Sequence, residues 1–103
     1  MFRVISKGHL IVAAVILAAC SKSDPGPLEG TWRMAEPVPI TISFRKGEAE
    51  SLGMIDKVEY RRDGNDVIVT WKTGITAGTA MRYTFVSDDV VRTELGTIRR
   101  VRR

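Results

Sequence analysis

The segment that decides the fold is Val58-Glu59-Tyr60-Arg61-Arg62-Asp63-Gly64-Asn65-Asp66-Val67-Ile68-Val69-Thr70-Trp71. Apolar residues recur at every second position on both sides of Asp63-Gly64-Asn65, as in Tyr60 before it and Val67 after it. A period of two predicts half-buried β-strands. Gly and Asn tolerate the positive φ angles of a tight turn. The segment therefore predicts an antiparallel β-hairpin.

The same alternation extends in both directions from this hairpin. Upstream it predicts strands over residues 30–34 and 40–44, followed by a turn at 46–48. Downstream it predicts strands around Tyr83, around Val91 and over residues 97–101. Nothing in the pattern favours a long helix. Six or seven strands joined by short turns predict an all-β fold, a small antiparallel meander that forms a curved sheet or a small barrel.

The N-terminus predicts a signal peptide over residues 1–19. Arg3 and Lys7 give a positive start, and ten uncharged apolar residues follow at 10–19. As a helix these would span about 15 Å, whereas a membrane span needs about 30 Å. Residues 20–28 are polar and broken by Pro and Gly, so we expect a flexible tether that neither packs nor forms a helix. The β domain is then expected over residues 29–103.

The end of the apolar run, Leu17-Ala18-Ala19-Cys20, resembles the lipobox of bacterial lipoproteins. This resemblance implies cleavage before Cys20, a diacylglycerol on its sulfur and usually a third acyl chain on its amine. Several acyl chains make a stable membrane anchor. Ser21 stands where an Asp would signal inner-membrane retention, which favours the outer membrane, periplasmic face. The alternatives are an ordinary secretory signal or an uncleaved anchor with a free thiol.

Charge and composition exclude several kinds of site. The chain has 103 residues with 16 Lys+Arg, 12 Asp+Glu, one Cys and one His. Cleavage before Cys20 would leave 84 residues with 14 basic and 12 acidic side chains and no histidine. A disulfide within the chain, a Cys/His zinc site, a Cys nucleophile and a His-based triad are then excluded. We therefore predict neither an enzyme nor a cofactor.

Carboxylates are the remaining candidates for catalysis or metal binding. The pairs Asp63/Asp66 and Asp88/Asp89 lie in predicted turns, where Asp serves backbone hydrogen bonding. The loop pattern of a calcium site is absent, so we predict no metal site. Asp56, on the apolar phase of a predicted strand, has no explanation in the pattern unless it marks a register break.

Several features resemble the small lipocalin-like domains found in bacterial lipoproteins. They are Gly30-Thr31-Trp32, a strand ending in Phe44, the tyrosine strand with its Asp63-Gly64 hairpin, and a basic last strand. The resemblance implies a barrel that binds a small apolar ligand, with an opening near residues 74–80. True lipocalins are about twice as long, and a domain this small buries only about 60% of its unfolded surface. We therefore expect a filled interior.

Candidate contact residues come from the aromatic and basic side chains. Most aromatic residues are expected in the core: Phe44, Tyr60, Trp71, Tyr83 and Phe85. The candidates for ligand or partner contact are Trp32, Arg99, Arg100, Arg102 and Arg103. Neighbouring strand residues point to opposite faces, so these arginines form no single stripe for nucleic acid. They either protect a sheet edge or contact anionic lipid or an acidic partner.

The sequence thus predicts a lipid-anchored, periplasm-facing envelope lipoprotein with a non-enzymatic binding or structural accessory role. Its partners are the membrane, through acyl chains on Cys20, and an envelope protein, whereas the oligomeric state stays open. The alternatives are a lipocalin-like binder of a small apolar ligand and an envelope inhibitor of lysozyme. The last is suggested by residues 77–83, although a net charge of +2 after cleavage suits a basic lysozyme poorly.

Mass spectrometry of the intact protein from a Gram-negative host tests the anchor. We expect a product that has lost residues 1–19 and gained acyl chains, because the thiol of Cys20 is the acylated group. An inhibitor of the lipoprotein signal peptidase should leave the signal attached. A secreted chain with an unmodified Cys20 would contradict the lipobox interpretation.

Overall fold

The computed structural model describes residues 22–102. They form eight antiparallel strands, numbered here in chain order: β1 (Gly30–Met34), β2 (Ile40–Arg45), β3 (Glu48–Ser51), β4 (Met54–Asp63), β5 (Asp66–Trp71), β6 (Ala80–Ser87), β7 (Val90–Arg92) and β8 (Thr97–Arg100). Each strand pairs with the next, and β8 pairs with β1. The predicted all-β meander is confirmed as a closed barrel.

The strand that the sequence did not predict is β3. It contains Glu48, Ala49, Glu50 and Ser51, of which only Ala49 is buried. A single small apolar residue gives almost no periodic signal. The strand nevertheless pairs with β2 through Phe44 and Ala49 and with β4 through Ala49 and Asp56. The barrel therefore has eight strands instead of six or seven.

The predicted hairpin is formed by β4 and β5. Val58 pairs with Trp71 at one end and Asp63 pairs with Asp66 at the other, so Gly64 and Asn65 form the turn. Strand β4 is ten residues long because its first half pairs with β3 and its second half with β5. It thus connects the two halves of the barrel wall.

The barrel interior contains aromatic and aliphatic side chains. Phe44 contacts Tyr60 and Tyr83 edge to face, with ring centroids 6.3 and 5.2 Å apart. No charged side chain is buried among the described residues. The buried residues of the hydrophobic core cluster are Leu28, Trp32, Met34, Phe44, Ala49, Val58, Tyr60, Val67, Val69, Tyr83, Val91 and Ile98.

The two ends of the barrel differ. At the lower end the chain turns at residues 46–47, 64–65 and 88–89, and at the upper end it connects strands through residues 35–39, 52–53, 72–79 and 93–96. Residues 22–29 lie across the lower end. The carbonyl of Lys22 accepts from Tyr60 N at 2.7 Å, the carbonyl of Ser23 accepts from Gly47 N at 2.8 Å, and Leu28 is fully buried.

This arrangement corrects the expectation for the segment after Cys20. Residues 22–28 were expected neither to pack nor to form a helix, yet Pro25 and Leu28 are buried and Gly26–Leu28 is a short 3₁₀ helix. Proline is compatible with such a turn because it needs no N–H donor there. The segment packs through contacts with strands that are distant in sequence, and local composition carries no information about those contacts.

None of the helices within residues 22–102 has the length and apolar character that crossing a membrane requires.

Arg100 holds the N-terminal segment against the barrel. Its guanidinium donates to the carbonyls of Glu29 (2.8 Å), Pro27 (3.0 Å) and Asp88 (2.9 Å) and pairs with the Asp89 carboxylate at 3.2 Å. It also lies 4.3 Å from the centroid of the Trp32 ring. The planar, fork-shaped donor set of arginine makes this possible, and lysine could not reproduce it.

Replacing Arg100 should therefore destabilise the barrel. We expect Arg100→Ala to lower the free energy of unfolding by about 2 kcal/mol or more, because it leaves carbonyls without a charged donor. The measurement is urea unfolding of residues 20–103 carrying Cys20→Ser, called here the unlipidated form, which contains every described contact. The matched control is Arg99→Ala, whose exposed side chain lies on the outer face and should change stability by less than about 0.5 kcal/mol. Equal effects of the two substitutions would contradict this role.

Candidate functional site

An apolar pocket of about 300 Å³ opens at the upper end of the barrel. Its size is at the lower limit of pockets that bind small molecules. Aliphatic and methionine side chains dominate its wall. The lining residues are Met34, Ile40, Ile42, Ala49, Ser51, Leu52, Met54, Asp56, Trp71, Ile75, Thr76, Thr79, Met81, Tyr83, Thr93, Leu95 and Ile98.

Strand alternation places the lining residues that belong to strands inside the barrel. Ile40 and Ile42 come from β2, whereas Thr41 between them is exposed on the outer face. Met81 and Tyr83 come from β6 in the same way, with Arg82 between them on the outside. Apart from Trp71, the side chains near the upper end are mostly smaller or more flexible than Trp32, Phe44 and Tyr60, which fill the lower half. The expectation of a filled interior is thus correct for the lower half and wrong for the upper end.

Exposed apolar side chains surround the mouth of the pocket. Leu52 is 76% exposed and Ile75 is 93% exposed. Met54 and Leu95, which also line the pocket, are exposed as well. Apolar residues clustered around a concave opening are typical of binding sites. We call this set, Leu52, Met54, Ile75 and Leu95, the apolar rim.

The loop over residues 72–79 forms one side of the mouth. Trp71 N donates to Thr79 O at 2.9 Å and Gly78 N donates to Trp71 O at 2.8 Å, which closes the loop at its base. The Thr79 hydroxyl donates to Thr76 O at 2.7 Å. These bonds fix the backbone beside the opening, in the region of residues 74–80 where the lipocalin-like alternative would need one.

Asp56 is the only charged residue among the described residues that line the pocket. It is half-buried and pairs in regular register with Ala49, so it does not mark a register break. Its carboxylate packs directly against Gly74. A Cβ atom on Gly74 would lie 2.7 Å from Asp56 Cγ and 2.9 Å from Oδ2. The residue that the sequence pattern could not explain therefore belongs to the pocket wall.

Tyr83 lies where the pocket meets the filled half of the barrel. Its side chain is 4% exposed, and burial raises the pKa of its hydroxyl, with a further contribution from Tyr60. Among the described residues no group makes a hydrogen bond with this hydroxyl. The Tyr60 hydroxyl, in contrast, lies 2.7 Å from the carbonyl oxygens of Arg45 and Glu48, and burial likewise raises its pKa. Both hydroxyls thus stay protonated across the physiological pH range.

Trp32, a candidate for ligand or partner contact, is a core residue. It is fully buried, its indole N–H donates to Leu28 O at 2.8 Å, and its ring packs edge to face on Phe85 at 5.9 Å. Trp32 does not line the pocket. The expectation of a contact role was wrong because the N-terminal segment and Arg100 cover the ring.

The candidate arginines have different environments. Arg100 is half-buried and bonded within the fold, whereas Arg99 is exposed on the outer face, so the two lie on opposite faces as expected. Arg102 pairs with Asp89. None of these three lines the apolar pocket. Arg103 and the predicted lipidation site, Cys20, lie outside the described residues.

The acidic pairs lie at lower-end turns, as predicted. Arg82 donates to Asp63 at 3.1 Å and also pairs with Asp66, and this guanidinium lowers the pKa of the Asp66 carboxyl. The pair correspondingly raises the pKa of Arg82. Within residues 22–102 no group of three or more His, Cys, Asp or Glu side chains is placed to hold a metal ion.

The chain matches no protein-family model, no curated protein and no solved structure. The lipoprotein and lipocalin-like resemblances therefore rest on the residues of this sequence alone.

The sequence reasoning assigned most pocket residues to the core or to turns. Ile40, Ile42 and Met81 have the same alternating pattern as core residues, and periodicity does not distinguish a filled interior from an open one. One signal was available. Leu52, Ile75 and Leu95 are apolar residues within polar or glycine-containing connections, and all three lie at the upper end of the barrel.

Substitution of Gly74 tests the contact with Asp56. Gly74 and Gly78 both have positive φ angles, +86° and +92°, so alanine at either position should cost about 1–2 kcal/mol in unfolding free energy. At Gly78 an added Cβ meets nothing within 4 Å, whereas at Gly74 it meets the Asp56 carboxylate. We expect Gly74→Ala to cost roughly 1–3 kcal/mol more than Gly78→Ala.

A double-mutant cycle separates the steric effect from the backbone effect. In an Asp56→Ala background, the cost of Gly74→Ala in urea unfolding should fall to that of Gly78→Ala. An unchanged difference between the two glycines would show that the carboxylate does not rest on Gly74.

Proposed function

We propose that this protein is a lipid-anchored, periplasm-facing envelope lipoprotein whose barrel binds a small apolar molecule without chemical conversion. The observation that carries the proposal is the apolar pocket at the upper end of the barrel, with its exposed rim. An eight-stranded barrel has an interior just wide enough to be filled by side chains or to hold one small ligand. Here the lower half is filled and the upper end holds a space of about 300 Å³.

The position of the N-terminal segment supports this proposal. Lys22 lies at the lower end, where its carbonyl accepts from Tyr60 N. Cys20 is only two residues earlier, and two residues of fully extended chain would span at most about 7 Å. An acyl anchor on Cys20 would hold the lower end close to the membrane. A six-residue strand rises about 20 Å, which is roughly the distance between the two ends of the barrel. The pocket mouth would therefore lie on the side away from that membrane.

A protein partner seated on the apolar rim is the second candidate function. Ile75 and Leu52 are too exposed to contribute to the barrel core. On a lipoprotein anchored at its lower end, they would be presented to other envelope proteins. The observations do not favour a lysozyme inhibitor, because within residues 77–83 Tyr83 is buried in the core and Arg82 is paired with Asp63 and Asp66.

Calorimetric titration of the unlipidated form with 1-octanol tests ligand binding. The pocket volume corresponds to about ten water molecules, which suits a ligand of about ten non-hydrogen atoms. We expect one saturable site with a Kd on the order of 0.1 mM. Trp71 lines the pocket, so its fluorescence should change with the same midpoint.

Two phenylalanine substitutions on neighbouring strands, one inside the barrel and one outside it, provide the control. Ser51→Phe adds a ring inside the pocket. The ring would occupy space that the octanol chain needs, so octanol binding should weaken at least about tenfold. Thr41→Phe adds the same ring on the outer face of β2 and should leave binding unchanged. Absence of saturable binding, or equal binding by the two variants, would refute ligand binding and leave the partner role.

A further inference from the structure

Asp56 is out of place in a pocket that only excludes water. The other lining side chains are uncharged, and most are aliphatic, Met or aromatic. A carboxylate in such surroundings loses hydration, which is unfavourable unless a partner compensates for it. Apolar alternatives were available at this position, since its strand neighbours on the same face are Met54 and Val58. The carboxylate therefore calls for an explanation through binding.

No described residue compensates for this carboxylate. The Asp56 carboxylate makes no hydrogen bond or ion pair with the residues at 22–102, whereas the carboxylates of Asp63, Asp66 and Asp89 all pair with arginines. The neighbouring lysine on β4, Lys57, is exposed on the opposite face of the strand. Gly74 approaches the carboxylate from the loop without adding a side chain. Asp56 is itself among the residues that line the pocket.

Two of the hydroxyls that line the pocket, those of Thr79 and Thr93, donate to carbonyls of their own loops. Thr79 donates its hydroxyl to Thr76 O at 2.7 Å, and Thr93 donates its hydroxyl to Gly96 O at 2.8 Å. Both donors are therefore used within their own turns. Within residues 22–102, a ligand that enters the pocket meets a mostly apolar wall, the hydroxyls of Ser51, Thr76 and Tyr83, and a single charged group, the Asp56 carboxylate.

We infer that the pocket selects an amphipathic amine, a molecule with an apolar body of about eight carbons and one protonated amino group that pairs with Asp56. This inference rests on the proposed ligand-binding function and names its ligand class. A charge-assisted hydrogen bond between an ammonium and a carboxylate is stronger than one between neutral groups. The apolar body contacts Ile40, Ile42 and Met81, while the ammonium remains near the mouth beside Gly74.

The net charge of the whole domain does not explain a preference for amines. The chain after cleavage before Cys20 has a net charge of +2, which by itself attracts anions. Preference for a cationic ligand therefore has to come from the local carboxylate. A preference for the anionic analogue would indicate that the overall charge dominates.

Three probes of equal chain length separate these effects: octylamine, 1-octanol and octanoate, each titrated calorimetrically into the unlipidated form at neutral pH. We expect octylamine to bind about tenfold more tightly than 1-octanol, and octanoate to bind more weakly than either. In Asp56→Asn the octylamine affinity should fall about tenfold to that of 1-octanol. Cooperative urea unfolding of Asp56→Asn shows that the variant is folded.

Glu59→Gln is the matched control. It removes one negative charge from the same strand, but Glu59 lies on the outer face and does not line the pocket. Octylamine binding should therefore be unchanged. Equal binding of octylamine and octanol, or an amine preference that persists in Asp56→Asn, would overturn this inference while ligand binding stands. Failure of all three probes to bind would overturn both proposals.

Discussion

Closure of the sheet by β1 and β8 is the constraint on which the other features of this protein depend. Trp32 pairs with Arg100, Arg33 with Arg99 and Met34 with Ile98, which leaves no open edge between the first and last strands. In a closed barrel every inward side chain lies in one shared interior, so the period-two pattern of each strand becomes one core. Arg100 strengthens the closure because its guanidinium joins β8 to the carbonyls of Pro27 and Glu29.

Closure also accounts for the difference between the two ends. At the lower end the interior holds Trp32, Phe44 and Tyr60, and residues 22–29 cover the opening with Leu28 buried beneath them. At the upper end the inward residues are Ile40, Ile42, Ala49 and Met81, and no terminal segment covers the opening among the described residues. These side chains leave a pocket with exposed apolar residues around it. An anchor near the lower end and a binding site at the upper end would then act without interfering with one another.

Within the pocket, Asp56 introduces a polar requirement into an apolar environment. A purely apolar pocket discriminates poorly between molecules of similar size, because each methylene contributes only about 0.8 kcal/mol. A single carboxylate adds selectivity for charge, since a ligand without a complementary group leaves it desolvated and unpaired. Gly74 lies against this carboxylate without adding a side chain of its own. Size selection by the barrel and charge selection by Asp56 would therefore act on different parts of one ligand.

The sequence by itself determined the all-β class, the Asp63–Asp66 hairpin and the absence of histidine after Cys20, because these depend on local patterns and composition. The signal peptide and lipobox stay predictions. Only the tertiary structure decided that the barrel closes with eight strands, that Trp32 is covered, and that residues 22–28 pack. Strand β3 has almost no apolar periodicity, and the burial of Trp32 depends on Arg100, 68 positions along the chain. The strand pattern did not predict the pocket, because an inward side chain has the same alternation whether it faces a neighbour or an open space. Asp56 stood out in the sequence as an exception, but its meaning came from the barrel, which brings it together with Gly74 and the pocket wall.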